Sequence, residues 1–99
     1  MSRAKKKAEP PEVTIVIPVY NEEGILSSSL TDLLDKLGAV DFTYEIIVAE
    51  NGSSDRTVEI AEGFSDRFEQ IRTFSCGEPN YGKALRQGIF RARGEYIIC

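Results

Sequence analysis

Val13-Thr-Ile-Val-Ile-Pro-Val-Tyr-Asn-Glu-Glu23 is the stretch on which the reading of this chain turns. Its first five residues, Val13 to Ile17, are apolar or β-branched on both alternating faces. That is the composition of a strand covered by helices on either side of a parallel sheet. Pro18 has no N–H to give a ladder, so the strand should stop there. Asn21 is a good helix cap. Beyond it Leu26, Leu30, Leu33, Leu34 and Leu37 recur along one helical face, and Gly38 closes the helix.

The alternation repeats downstream. Tyr44–Ala49 reads as a second strand and Asn51-Gly52 as a turn. Ser53, Ser54 and Asp55 suit the first turn of a helix whose apolar side is Ile60, Ala61, Phe64 and Phe68. Ile71–Phe74 is a short third strand, and Gly77, Pro79, Asn80 and Gly82 make a loop. Leu85, Ile89 and Ala92 mark a third helix ended by Gly94, after which Glu95–Cys99 begins a fourth strand. Strands alternating with helices predict an α/β fold, a three-layer Rossmann-like parallel sheet. Right-handed crossovers favour strand order 3-2-1-4, which opens a crevice at the carboxyl ends of the first and fourth strands.

With 99 residues the chain forms one domain at most. No apolar run approaches the roughly 18 residues of a membrane helix. The net charge is −4, although residues 1–12 carry Arg3, Lys5, Lys6 and Lys7 against only Glu9 and Glu12. The body is therefore acidic, which argues against nucleic acid as a partner. We read residues 1–12 as a disordered basic tail and 13–99 as the folded part. The lysines run into Ala-Glu-Pro-Pro-Glu and not into an apolar stretch, so no secretory signal begins here and a cytoplasmic chain is expected. Cys76 and Cys99 form no CxxC pair and there is no histidine, so neither a zinc site nor a disulfide framework is supported. Asn51-Gly-Ser53 matches a glycosylation sequon and is read as a turn.

Three segments follow the first three strands, and each has two readings. In Pro18-Val-Tyr-Asn-Glu-Glu23, Tyr20 could stack on a base or ribose while Glu22 accepts hydroxyl hydrogen bonds; the alternative is a proline turn with a capping Asn21. In Glu50-Asn-Gly-Ser-Ser-Asp55, Glu50 and Asn51 could meet a base edge on the rim of the crevice, with Gly52 permitting close approach. The alternative is an Asn-Gly turn with Ser53 and Asp55 serving the helix start. Gly77-Glu-Pro-Asn-Tyr-Gly-Lys83 fits GxxxxGK, but Ala84 stands where a phosphate loop needs a hydroxyl. What remains there is an anion site made of a helix N-terminus, Lys83 and Arg86, against two solvated helix residues. There is no GxGxxG, HExxH or GxSxG, so dinucleotide oxidoreductases, zinc hydrolases and serine hydrolases lose support.

Taken in order, Val13–Glu23, Ile46-Ile-Val-Ala-Glu-Asn-Gly-Ser-Ser-Asp-Arg-Thr57 and Asn80-Tyr-Gly-Lys-Ala-Leu-Arg-Gln-Gly88 resemble the family 2 glycosyltransferases. Gly94-Glu-Tyr-Ile-Ile98 resembles the strand that leads to that family's metal-binding Asp-x-Asp. The Asn80–Arg86 stretch is most similar to polyprenyl-phosphate sugar transferases. The resemblance implies the N-terminal half of an A-type glycosyltransferase fold, a nucleotide-diphosphate sugar donor, an acceptor such as polyprenyl phosphate or a glycan, and a divalent metal, magnesium or manganese. It places Pro18, Tyr20 and Glu22 in a nucleoside pocket with Glu50, Asn51 and Ser53, and turns Lys83 and Arg86 toward the diphosphate. Asn51 departs from the acidic residue usual at its position, offering a donor where a carboxylate only accepts.

The family's Asp-x-Asp, acceptor site and catalytic base would lie beyond Cys99. The expectation is therefore a donor-binding half-domain over residues 13–99, a fragment inactive alone, with no catalytic or metal-binding residue assigned within it. In the longer protein it would work at the cytoplasmic membrane face. The fourth strand should be an exposed edge prone to self-association. The alternative is a non-catalytic nucleotide-binding module or a nucleotidyltransferase-like domain.

Overall fold

Burial on both faces marks the centre of the sheet. In the computed structural model, which describes residues 9–99, every residue from Glu45 to Glu50 of strand β2 (Tyr44–Glu50) is buried. It lies between β1 (Val13–Val19) and β3 (Ile71–Ser75), and β4 (Tyr96–Ile98) pairs with the other edge of β1. All pairings are parallel and the order is β3-β2-β1-β4, as expected from the alternation. Val13 sits opposite both Tyr44 and Tyr96, so β1, β2 and β4 start level. Residues 1–8, which carry the cations of the expected tail, lie outside the described residues. Glu12, placed by the sequence in that tail, exchanges hydrogen bonds with Thr43 and accepts one from Tyr96 N at 2.9 Å.

The strand does not stop at Pro18. It continues to Val19, with Pro18 opposite Ala49. Val19 O accepts from Asn51 N, so the nitrogen of Pro18 turns to the opposite edge. Pairing with β4 there ends at Ile15, and the missing N–H costs no bond.

The two faces of the sheet are covered differently. Helices α1 (Leu26–Leu37) and α2 (Thr57–Arg67) share a core with one face, built from Val19, Leu26, Leu30, Ile46, Phe64 and Ile71 among others. Each large side chain buried there contributes about 1.5–3 kcal/mol. On the other face α3 (Tyr81–Arg91) packs through small residues, with Val16, Ala49 and Ala84 at the centre. The expected apolar side of α3 is Leu85, Ile89 and Ala92; Leu85 does pack half-buried against this cluster, but the fully buried residues are Ala84 and Gly88, Ile89 is exposed and Ala92 lies past the helix end. The helix lies so close that a Cβ on Gly88 would stand 2.6 Å from Val16 Cγ1. Close approach selects small residues, and that stripe is invisible to a hydrophobicity pattern.

At the amino end of β2, the buried Glu45 gathers the neighbouring elements. It accepts from Thr14 Oγ1 at 2.7 Å, Arg72 Nη2 at 2.8 Å, Arg93 N at 2.8 Å and Arg93 Nε at 3.4 Å. Thr14 Oγ1 in turn accepts from Gly94 N. One carboxylate thus ties β1, β3 and the turn into β4 to the central strand. β4 is shorter than the Glu95–Cys99 expected, and all three of its residues are exposed.

Candidate functional site

Loops 1 (20–25), 2 (51–56) and 3 (76–80) leave the carboxyl ends of β1, β2 and β3. Loop 2 is their hub. Asn21 N donates to Ser53 Oγ at 2.8 Å, and Asn21 Oδ1 accepts from Ser54 N at 2.9 Å. Glu22 N donates to Thr57 Oγ1, Glu23 N to Asp55 Oδ2, and Arg56 N returns a bond to Glu23 Oε1. Asn21 is therefore not the cap of α1. Its side chain is committed across to loop 2 and its backbone takes φ 47°, a left-handed conformation that asparagine tolerates. The chain makes a further turn on Glu22 O before α1 begins at Leu26, with no side-chain cap. Asp55 accepts from Thr57 N and so does serve the start of α2, from a position just ahead of it.

Glu50 does not stand on the rim. It is 1% exposed, and its carboxylate lies beneath loop 2, accepting from Gly52 N at 3.1 Å, from Ser53 N and from Ser75 Oγ at 2.7 Å. Burial pushes its pKa up, but the hydrogen bonds from Ser53, Ser75 and Gly52 outweigh burial and hold it below the ordinary carboxylate range. Asn51 is also buried. Its Oδ1 accepts from Asn80 N at 2.6 Å, so what its side chain has left to offer is the amide N–H. Gly52 has φ 75°, and a Cβ there would stand 2.3 Å from the carbonyl carbon of Glu78. Loops 2 and 3 are in backbone contact at that point, and only glycine fits.

Loop 3 ends in a working cap, with Asn80 Oδ1 accepting from Lys83 N at 2.9 Å. Lys83 Nζ is 2.8 Å from Glu78 Oε2. This hydrogen bond and the opposite charge raise the lysine pKa and lower the glutamate's. Arg86 is exposed and has no ion pair among the described residues. Pro18 and Glu22 are half-buried and Tyr20 is 44% exposed. The structure thus brings Tyr20, Glu22, Asn51 and Ser53 together on two interlocked loops, with Pro18 and Glu50 at the strand ends beneath them. Lys83 joins them through Asn80 and Asn51, while Arg86 stands one turn further along α3 with no bond to the loops. Thr57, Glu23 and Glu78 were missed; a threonine two positions after a pre-helical Asp was the one sequence signal for Thr57.

An open depression of about 400 Å³ lies at the other end of the sheet, lined by Glu9, Thr43, Tyr44, Glu69 and Arg93 among others. The partners of Glu45 there are already engaged, and parallel sheets take ligands at the carboxyl ends of their strands. We place the candidate site at loops 1 to 3.

A family model described as glycosyl transferase family 2 matches residues 14–99. A dolichyl-phosphate β-glucosyltransferase of Drosophila melanogaster is 40% identical over 96 residues, a match covering 88% of this chain and 29% of that protein. Its namesake from Homo sapiens is 34% identical with the same coverage. This chain therefore spans 29% of the length of these curated relatives. The mannosyltransferase PcManGT from Pyrobaculum calidifontis, in complex with GDP-Man and Mn2+, has a TM-score of 0.73 at 21% identity. That likeness covers 90% of this chain and 26% of the other.

Proposed function

Because this chain belongs to glycosyl transferase family 2 and has the fold of one part of an A-type glycosyltransferase, we propose that loops 1 to 3 receive the nucleotide of a nucleotide-diphosphate sugar. The observation that carries this is the interlocking of the three loops through loop 2, which fixes a polar surface at the carboxyl end of the sheet before any ligand arrives. In this reading Pro18, Tyr20 and Glu22 line the nucleoside pocket with Ser53, and the Asn51 amide donates to an acceptor atom of the base. Glu50 acts from below by holding Gly52 and Ser53 in place. Lys83 and Arg86, at the start of α3, face the diphosphate.

The two relatives are named for dolichyl phosphate, which supports a polyprenyl phosphate as acceptor. A reaction on such a lipid would take place at the cytoplasmic face of a membrane. No helix among the described residues is long and apolar enough to cross one. PcManGT was seen with Mn2+, which supports a divalent cation in the whole reaction. The described residues contain no group of three or more His, Cys, Asp or Glu that could hold one, so no step is assigned to a cation here.

The test is a chemical-shift titration of this chain with nucleoside diphosphates and with the bare nucleosides. Dissociation constants of about 1 mM, or roughly 4 kcal/mol, are expected, with shifts confined to loops 1 to 3 and the start of α3. Lys83→Ala should weaken the diphosphate more than the nucleoside. Shifts centred on the depression at the amino end would overturn the reading, and equal losses for the two ligands would remove Lys83 from the phosphate site.

A further inference from the structure

Lys83 already has an anionic partner within the chain. Its ammonium is already held by Glu78 at 2.8 Å, and the backbone around Glu78 is anchored. Glu78 O accepts from Cys76 Sγ at 3.1 Å, and Gly77 N donates to Ser75 Oγ. The Glu78–Pro79 backbone rests on Gly52. The carboxylate is thus presented to Lys83 by a fixed segment.

We propose that Glu78 is a built-in competitor of the phosphate subsite, a carboxylate that pairs with Lys83 and is displaced from it when the diphosphate binds. This rests on the reading that Lys83 faces the diphosphate. A diphosphate carries more charge and more acceptor oxygens than one carboxylate, so it wins the ammonium when it is placed by its nucleoside. The exchange needs only a rotation of the Glu78 side chain, since its backbone is trapped between Cys76 and Gly52. Glu78 therefore acts as an affinity-setting residue, keeping nucleotide binding weaker than Lys83 alone would make it.

A double-mutant cycle tests this, with Glu78→Gln, Lys83→Ala and the pair titrated against a nucleoside diphosphate and its nucleoside. Both residues are at the surface, and amide spectra would confirm that each variant is folded. Glu78→Gln should tighten the diphosphate about two- to fivefold, the range expected for freeing an exposed ion pair. It should leave the nucleoside unchanged and give no gain in the Lys83→Ala background. Unchanged diphosphate affinity in Glu78→Gln, with Lys83→Ala still weakening it, would overturn the competitor role alone. An equal gain without Lys83 would also overturn it, pointing to general charge repulsion. If Lys83→Ala leaves the diphosphate unaffected, the underlying assignment of Lys83 fails.

Discussion

Glu45 and Glu50 stand at the two ends of β2, both buried, and are held in different ways. Glu45 meets two guanidinium groups, a hydroxyl and a backbone N–H, and its charge is neutralised where it sits. Glu50 meets only uncharged donors, from Gly52, Ser53 and Ser75. Arginines reach in from β3 and from beyond α3, so the first arrangement fastens separate elements together. The second shapes one loop and leaves a negative charge beneath it. A carboxylate that staples a fold and one that sculpts a site are told apart by their partners, since depth is the same for both.

The most damaging way to break the contrast is Glu45→Ala, which strands Thr14 and Arg93 without an acceptor and leaves Arg72 only the carbonyl of Arg91. Losing one partner of a buried ion pair costs 3–5 kcal/mol, and the arginines here keep some contact with water, so about 3 kcal/mol is expected. Urea unfolding measures it, and a loss under about 1 kcal/mol would mean that Glu45 is no staple. Glu50→Gln comes next. An amide N–H would face donors already aimed at oxygen, costing about 2 kcal/mol. Its signature should be local, with faster hydrogen exchange at Gly52 and Ser53 than in β3, whereas Glu45→Gln should loosen Gly94 and β4.

The smallest effect sharpens the comparison through acid. Burial raises both carboxyls, but hydrogen bonds from Thr14, Arg93 and Arg72 at Glu45, and from Ser53, Ser75 and Gly52 at Glu50, leave both below their ordinary values. Folding then favours the charged form. The stabilisation is complete above the unfolded carboxyl pKa of about 4.3 and is lost as pH falls through the folded value. Either glutamine variant should make that acid limb shallower, by at most about 1.4 kcal/mol per pH unit. A parallel curve for Glu45→Gln would remove its carboxylate from the acid response.

The sheet was readable because its signals are local. Val13–Ile17 and Ile46–Ala49 are continuous apolar runs, and each turn leads into a helical repeat. The order 3-2-1-4 follows from handedness and covered faces. The candidate loops were readable as polar segments after strands, but their inner wiring was not. Asn21 looked like a cap because its neighbours suggest a helix, while its partners Ser53 and Ser54 lie on another loop. Glu50 looked solvent-facing because nothing nearby in sequence shows that Ser75 will cover it. The stripe on α3 was misread because Ala84 and Gly88 are chosen for thinness, which has no apolar periodicity.

The contact of Gly52 with the backbone of Glu78 and Pro79 makes loops 2 and 3 a single unit of variation. A lengthened loop 3 could keep this site only if its new residues bulged outward and left the Glu78 backbone seated on residue 52. Any side chain at 52 would first have to be accommodated by rebuilding loop 3. Changes on either side of this contact should therefore be tolerated in combination where each alone is not, and a recombination library that exchanges the two loops separately should yield few folded chains.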